Sequence, residues 1–204
     1  MEEVFDTWNS EIVEFFIERG ADLVSGNPLA CALCSRIRPA LGLFMRYRER
    51  HPSFKEQLDI ALRYHCKEGN LKWVSLLLWA GADPYSKGPD TPHDDDPESF
   101  CSALELAAIY GHHEVFKLKK IRLDPGHPHA GDLLRNACYG KNVDLLKMLL
   151  DNGFSPRELA DRGSSLIQSL IHSMSWDFNP FSYARHEKDI DSYKSRDVIK
   201  MMHM

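Results

Sequence analysis

The chain has 204 residues, of which 43% are hydrophobic, and its formal net charge is −5. This composition matches that of an ordinary globular protein, and it excludes a chain that is disordered throughout. The mildly acidic balance also disfavours a general nucleic-acid binder, because contacts to phosphates need clustered lysines and arginines.

Four segments carry apolar residues at the i, i+3, i+4 spacing of a helix with one buried face. In chain order they are residues 10–22, 71–83, 113–125 and 143–156. Gly20, Gly81 and Gly153 stand near the ends of three of these segments, where a left-handed residue commonly terminates a helix. The pattern therefore predicts four helices with similar exits.

Shorter helical segments precede some of these helices. They span residues 27–32, 102–108 and 132–138, and residues 163–171 form a looser copy. Each of the first three begins with a residue whose side chain is suited to cap a helix, namely Asn27, Ser102 and Asp132. Small residues follow where a neighbouring helix must approach closely: Ala32, Ala107 and Ala137. A first helix and a second helix thus alternate with a period of roughly 30 residues, which is typical of a solenoid.

The repeated segments resemble the ankyrin-repeat family, whose unit is about 33 residues long and opens with the pattern T-P-L-H-x-A. Residues 27–29 and 102–107 resemble that opening, and residues 111–115 resemble the loop into the second helix. Residues 20–22 and 81–83, both Gly-Ala-Asp, resemble the exit from the second helix. The resemblance implies an all-α fold, an ankyrin-like solenoid of stacked antiparallel helix pairs with protruding hairpin or finger loops.

The resemblance implies a single ankyrin-repeat domain over residues 1–204, made of diverged units. The units are 1–26 (partial), 27–56, 57–99 with an insertion at 86–99, 100–129, 130–162 and 163–204 (interrupted). Several positions depart from the family pattern: Pro39 stands in the first turn of a second helix, His65 replaces an expected Ala, and Lys119 and Lys120 replace apolar residues. Because the terminal units are incomplete, we expect the chain to be a piece of a longer protein.

A stack of helix pairs presents a long surface of loops and first helices, which favours a non-catalytic protein–protein interaction module, a scaffold or adaptor that binds through its concave face and fingers. The sequence lacks G-x-S-x-G, H-E-x-x-H and P-loop motifs, so enzyme activity is not expected. Two alternatives stay open. In the first, the chain is a regulatory or substrate-recruiting arm of an enzyme or effector whose catalytic part lies outside this chain. In the second, the chain self-associates through exposed solenoid ends.

The candidate partner-binding residues follow from repeat geometry. They are Tyr85, Lys87, Asp94, Asp95 and Asp96 on the finger, Arg63, Glu105 and Arg135 on first helices, and Trp79 on a second helix. The insertion at 86–99 is interpreted as a dangling finger whose removal leaves the melting temperature nearly unchanged, with its aspartates either solvated or in contact with a basic partner. Trp79 is expected to be covered by the Arg-rich helix of residues 36–50, or otherwise to be an exposed anchor.

The five cysteines bear on metal binding and on location. Cys31 and Cys34 form one C-x-x-C, but they lie on a predicted helix and no second C-x-x-C exists, so we expect buried thiols and neither a metal nor a cofactor. An odd set of cysteines without a secretory signal or a long apolar run predicts a reducing compartment. We therefore expect a cytoplasmic protein, and nuclear location or delivery to a host cell stays open.

Ten histidines are present, and five of them are candidates for a structural or metal-binding role. His112, His113, His127 and His129 lie in loops where a four-histidine cluster is conceivable, although structural or exposed roles are favoured. His65 is predicted to be a packed histidine with a local hydrogen bond.

Overall fold

The computed structural model describes residues 8–93, 101–155 and 171. This part of the chain is mainly helical, as predicted, and none of its helices is long and apolar enough to cross a bilayer. The helices are α1 (Ser10–Glu18), α2 (Pro28–Cys34), α3 (Arg38–Tyr47), α4 (Ser53–Lys67), α5 (Leu71–Ala80), α6 (Ala103–Ile109), α7 (Ala130–Tyr139) and α8 (Val143–Asp151). Apart from Ile171, which is exposed, the predicted last unit lies outside the described residues.

The helices pack as a row of hairpins. Helices α2, α4, α6 and α7 contact one another in succession and form an inner row. Helices α3, α5 and α8 each pack against the inner helix that precedes them, and α1 packs against α3. The small residues predicted at close approaches, Ala32, Ala107 and Ala137, are all buried, which confirms their role. One continuous hydrophobic core runs from Ile17 to Phe154.

The ends of the helices follow the local sequence only in part. Gly81 ends α5 with a φ of 102°, a left-handed conformation that side chains strain, so this predicted exit is confirmed. Ser102 caps α6 through a capping box with Glu105. Asp132 is not a cap, because α7 begins two residues earlier at Ala130. Asn27 precedes α2, but its side-chain amide donates to a finger carbonyl instead.

The predicted helix at residues 113–125 is wrong over most of its length. Only a short 3-10 helix, His113–Lys117, forms there, and the backbone is extended at Leu118. Val115 and Phe116 are buried and anchor this single turn. The exposed residues that follow, Lys119 and Lys120, offer no apolar side chain to continue a buried face, so the helix stops.

A two-stranded antiparallel sheet, which the sequence did not predict, closes the finger between α5 and α6. Its strands are β1 (Lys87–Gly88) and β2 (Cys101–Ser102), with Lys87 opposite Ser102 and Gly88 opposite Cys101. The strand pair places the described part of the finger beside the N-terminus of α6, which Ser102 caps.

His65 is fully buried in α4, so its predicted packed role is confirmed. Its hydrogen bond is not local, because Nε2 lies 3.0 Å from the carbonyl oxygen of Leu33 in α2. The imidazole also stacks on Trp73 of α5, with ring centroids 5.3 Å apart. One side chain thus joins three helices. Burial lowers the pKa of His65 below its ordinary value of 6.5.

This lowered pKa predicts a pH-dependent stability. Between the pKa of folded His65 and that of the unfolded chain near 6.5, the unfolded state binds more protons, so stability is retained above pH 6.5 and declines below it. The contribution is at most about 1.4 kcal/mol per pH unit. Urea unfolding at pH 7.5 and pH 5.5 measures it. The His65→Gln variant, which retains the other histidines, is expected to lose less stability on acidification than the wild type. An equal loss in both proteins contradicts the assignment.

Candidate partner-binding surface

Arg63 is buried beneath the finger, which corrects its predicted role as a partner contact. The residue is 1% exposed on α4. Its Nε donates to the carbonyl oxygen of Pro89 at 2.7 Å, and its Nη1 donates to that of Ser86 at 3.0 Å. Burial lowers the pKa of the guanidinium, whereas Asp59 and other nearby carboxylates oppose this effect. The guanidinium of Arg63 therefore binds the finger and is not accessible to a partner.

Gly88 in β1 makes this close approach feasible. A Cβ atom at this position would lie 2.7 Å from Nη2 of Arg63, closer than a real contact allows. Because Arg63 is buried and already bonded, its guanidinium cannot easily move away. The finger backbone can therefore cross α4 at this distance only with a glycine.

Ion pairs hold the finger at two further points. Lys67 Nζ lies 2.7 Å from Asp90 Oδ2. Lys87 Nζ lies 3.2 Å from Glu105 Oε1 and 3.0 Å from Asp132 Oδ2, so it links the finger to both α6 and α7. Glu105 is only 1% exposed, which corrects its predicted role. It anchors Lys87 and caps α6, and it is not available to a partner.

Tyr85 connects this finger to the next one, the loop of residues 118–129 between the 3-10 helix and α7. Its ring stacks on His127 with centroids 4.2 Å apart. Its hydroxyl donates to the carbonyl oxygen of Arg122 at 2.9 Å and accepts from the backbone N–H of Asp124 at 3.2 Å. Burial raises the pKa of the phenol, which stays protonated and keeps its donor. Tyr85 is partly buried and fixes the relative position of two neighbouring fingers.

The interpretation of residues 86–99 as a dangling finger is wrong for their described part. Residues 86–90 contact α4, α6 and α7 through the bonds given above, and the Pro92 carbonyl accepts from the Asn27 amide at 2.9 Å. Removing the insertion is therefore expected to destabilise the fold. The remaining finger candidates, Asp94, Asp95 and Asp96, lie outside the described residues.

Arg135 and Lys87 keep part of their side chains accessible. The Arg135 side chain is 23% exposed, and its Nη1 lies 3.0 Å from Asp132 Oδ1. The Lys87 side chain is 31% exposed. Together with the exposed Arg122 they leave cations at the finger side of the molecule. The finger surface is defined here as Tyr85, Lys87, Arg122, His127 and Arg135.

Trp79 is exposed, which corrects the preferred expectation that the Arg-rich helix covers it. Its exposed fraction is 61%. It borders an open groove of about 450 Å³ between α3 and α5, called here the outer groove. The groove is lined by Arg38, Pro39, Leu41, Gly42, Met45, Leu76 and Trp79. Helix α3 therefore runs beside Trp79 without burying it.

The cysteines of the described residues are all free thiols, and Cys31 and Cys34 lie on α2. Burial raises the pKa of Cys34, Cys66 and Cys138 to about 12 in each case, so these thiols stay protonated at neutral pH. No group of three or more His, Cys, Asp or Glu side chains in the described ranges is placed to hold a metal ion.

The four loop histidines do not form one cluster. His112 Nε2 lies 2.9 Å from the carbonyl oxygen of Lys67, the last residue of α4. His127 and His129 are neighbours on a finger, with ring centroids 5.4 Å apart. His113 pairs locally with Glu114. Each histidine therefore has a structural contact of its own.

No family model, curated protein or solved structure matches this chain.

Truncation of Arg63 tests the finger attachment. The Arg63→Ala variant leaves two finger carbonyls without their donors, and we expect the free energy of unfolding to fall by about 3 kcal/mol. Urea unfolding measures this change. The exposed Arg50 is the matched control, and Arg50→Ala is expected to stay within about 0.5 kcal/mol of the wild type. Equal stability of the two variants contradicts the structural role of Arg63.

Proposed function

We propose that the chain is a non-catalytic protein-interaction module made of diverged ankyrin-like units, and that it binds a protein partner through the finger surface. The observation that carries the proposal is the connection between adjacent fingers. Tyr85 bonds to the backbone of residues 122 and 124, and Lys87 reaches Asp132. The support for ankyrin-like units is the row of helix hairpins together with the Gly-Ala-Asp exits at 20–22 and 81–83.

A fixed finger surface favours binding for a thermodynamic reason. A loop that must become ordered when a partner arrives loses conformational entropy, and this loss lowers the affinity. Here the stacking of Tyr85 on His127 and the buried bonds of Arg63 order the fingers in the free protein. The binding free energy is then available for contacts with the partner.

The proposal differs from the sequence expectation in which groups face the partner. The inner helices α4 and α6 are covered by the finger, and Arg63 and Glu105 are buried. The partner therefore meets the exposed edges of the fingers, where Lys87, Arg122 and Arg135 are accessible. Recruitment of a substrate for an enzyme would use the same surface, and such a role is a special case of the proposal.

Site-specific photocrosslinking in the cells that make the protein tests the proposal. A benzophenone amino acid at position 122 is expected to yield a discrete crosslinked adduct with another protein, because Arg122 is exposed on the finger surface. The same amino acid at position 68 is the control, because Glu68 is exposed in the turn between α4 and α5. If position 122 yields no adduct, or if the two positions yield the same adducts, the result contradicts a partner at the fingers.

A further inference from the structure

We propose that the outer groove is a second docking site, which takes a short acidic peptide segment carrying an aromatic or leucine side chain. This inference rests on the proposed function in that the ligand is a protein, but it uses a different surface. Helices α3 and α5 form the groove on their outer faces, whereas the fingers cover the inner helices.

The apolar part of the groove fits one bulky side chain. Trp79 is 61% exposed, and Leu41, Met45 and Leu76 line the space beside it. A large exposed aromatic beside a concave apolar surface is the usual composition of a binding hot spot. A side chain that fills the groove would remove these apolar atoms from water.

Gly42 leaves the groove open. It lies in the middle of α3 with an exposed position, and a Cβ atom there would meet no atom within 4 Å. The glycine is not required by its backbone, since its φ is not positive. It weakens the helix relative to alanine, and no packing contact compensates for this loss. The open space above Gly42 is therefore the feature that a ligand would use.

The charges at the groove select an acidic segment. Arg38 lines one end of the groove, and Lys72 lies one helical turn before Leu76 on the same face of α5. Both residues are exposed, and neither forms an ion pair with a residue in the part of the chain that the structure describes. Arg46, one turn after Gly42, is also exposed and pairs with Glu14. Unpaired cations beside an apolar groove complement carboxylates that flank an apolar side chain.

The concave shape favours a peptide over a membrane surface. A bilayer is contacted by protruding apolar side chains with lysines around them, whereas here the apolar atoms line a groove between two helices. A second copy of the chain is the other occupant that the test separates from a peptide. Both occupants are distinguished by the experiment below.

The test is selection of short random displayed peptides on the full 204-residue chain, followed by fluorescence polarisation of the enriched peptides. We expect enriched peptides to combine Asp or Glu with Phe, Trp or Leu. Their affinity is expected to fall at least about tenfold in Trp79→Ala, and similarly in Gly42→Phe, which fills the groove. The double variant Arg38→Glu, Lys72→Glu is expected to bind weakly as well. Tyr139→Ala, which removes an exposed aromatic on α7, is the matched control and is expected to bind as the wild type does.

Several outcomes overturn the proposal. Enriched peptides that bind Gly42→Phe as tightly as the wild type place the site elsewhere, and peptides without acidic bias remove the charge argument. The proposal is also overturned if no peptide binds in a groove-dependent way. Groove-dependent binding to phosphatidylserine vesicles would then indicate a membrane as the occupant, and groove-dependent dimerisation in sedimentation velocity would indicate a second copy. Urea unfolding of each variant verifies that the fold is retained. The crosslink at position 122 is measured in Gly42→Phe too, so that loss of the groove and loss of the finger partner are recorded separately.

Discussion

The burial of the Arg63 guanidinium against the finger backbone is the contact on which the arrangement of the molecule depends. A cation without water needs acceptors, and the carbonyl groups of Ser86 and Pro89 supply them. The same bonds give the carbonyl groups of Ser86 and Pro89 a hydrogen-bond donor. Because Arg63 needs these acceptors and the finger carbonyls need its donors, the finger and α4 form one structural unit. Gly88 lets the finger backbone lie against the Arg63 guanidinium.

The attachment of the finger to α4 determines which residues of the protein are accessible. Once the finger lies over α4 and α6, residues that would face a concave surface become internal supports, and Glu105 is the clearest example. Asp59 serves in the same way, since its Oδ1 accepts from the backbone N–H of Asp83 at 2.7 Å just before the finger. Burial raises the pKa of Asp59, and the bond to Lys55 opposes that rise. The two proposed binding surfaces therefore lie at the outer edges of the fingers and in the outer groove.

The sequence was a good guide to what depends on local pattern. The apolar spacing located most of the helices, and Gly81 and Ser102 marked a helix exit and a helix start as predicted. It failed where the outcome depends on long-range contacts. Apolar periodicity describes one face of a helix, so it did not reveal that α4 is buried on two sides and that Arg63 lies beneath the finger. The bonds to the finger use backbone carbonyls, which have no sequence signature.

Two other differences between the predicted and the observed structure have a signal in the sequence. Lys119 and Lys120 break the apolar pattern, and the helix predicted there stops before them. Gly42 stands on the outer face of α3, where a helix of ordinary composition would carry a side chain able to shield Trp79. Gly42 and Trp79 line the same groove, and Gly42 has no side chain that could cover the tryptophan.

Amide hydrogen exchange followed by mass spectrometry tests the fixed finger most directly, with the intact wild-type protein under native conditions. If the finger is part of the folded stack, the amides of residues 85–90 will exchange as slowly as those of the inner helix α4, because both open only when the stack opens. Exchange of residues 85–90 at the rate of an unstructured peptide, while α4 stays protected, would contradict the attachment of the finger through Arg63.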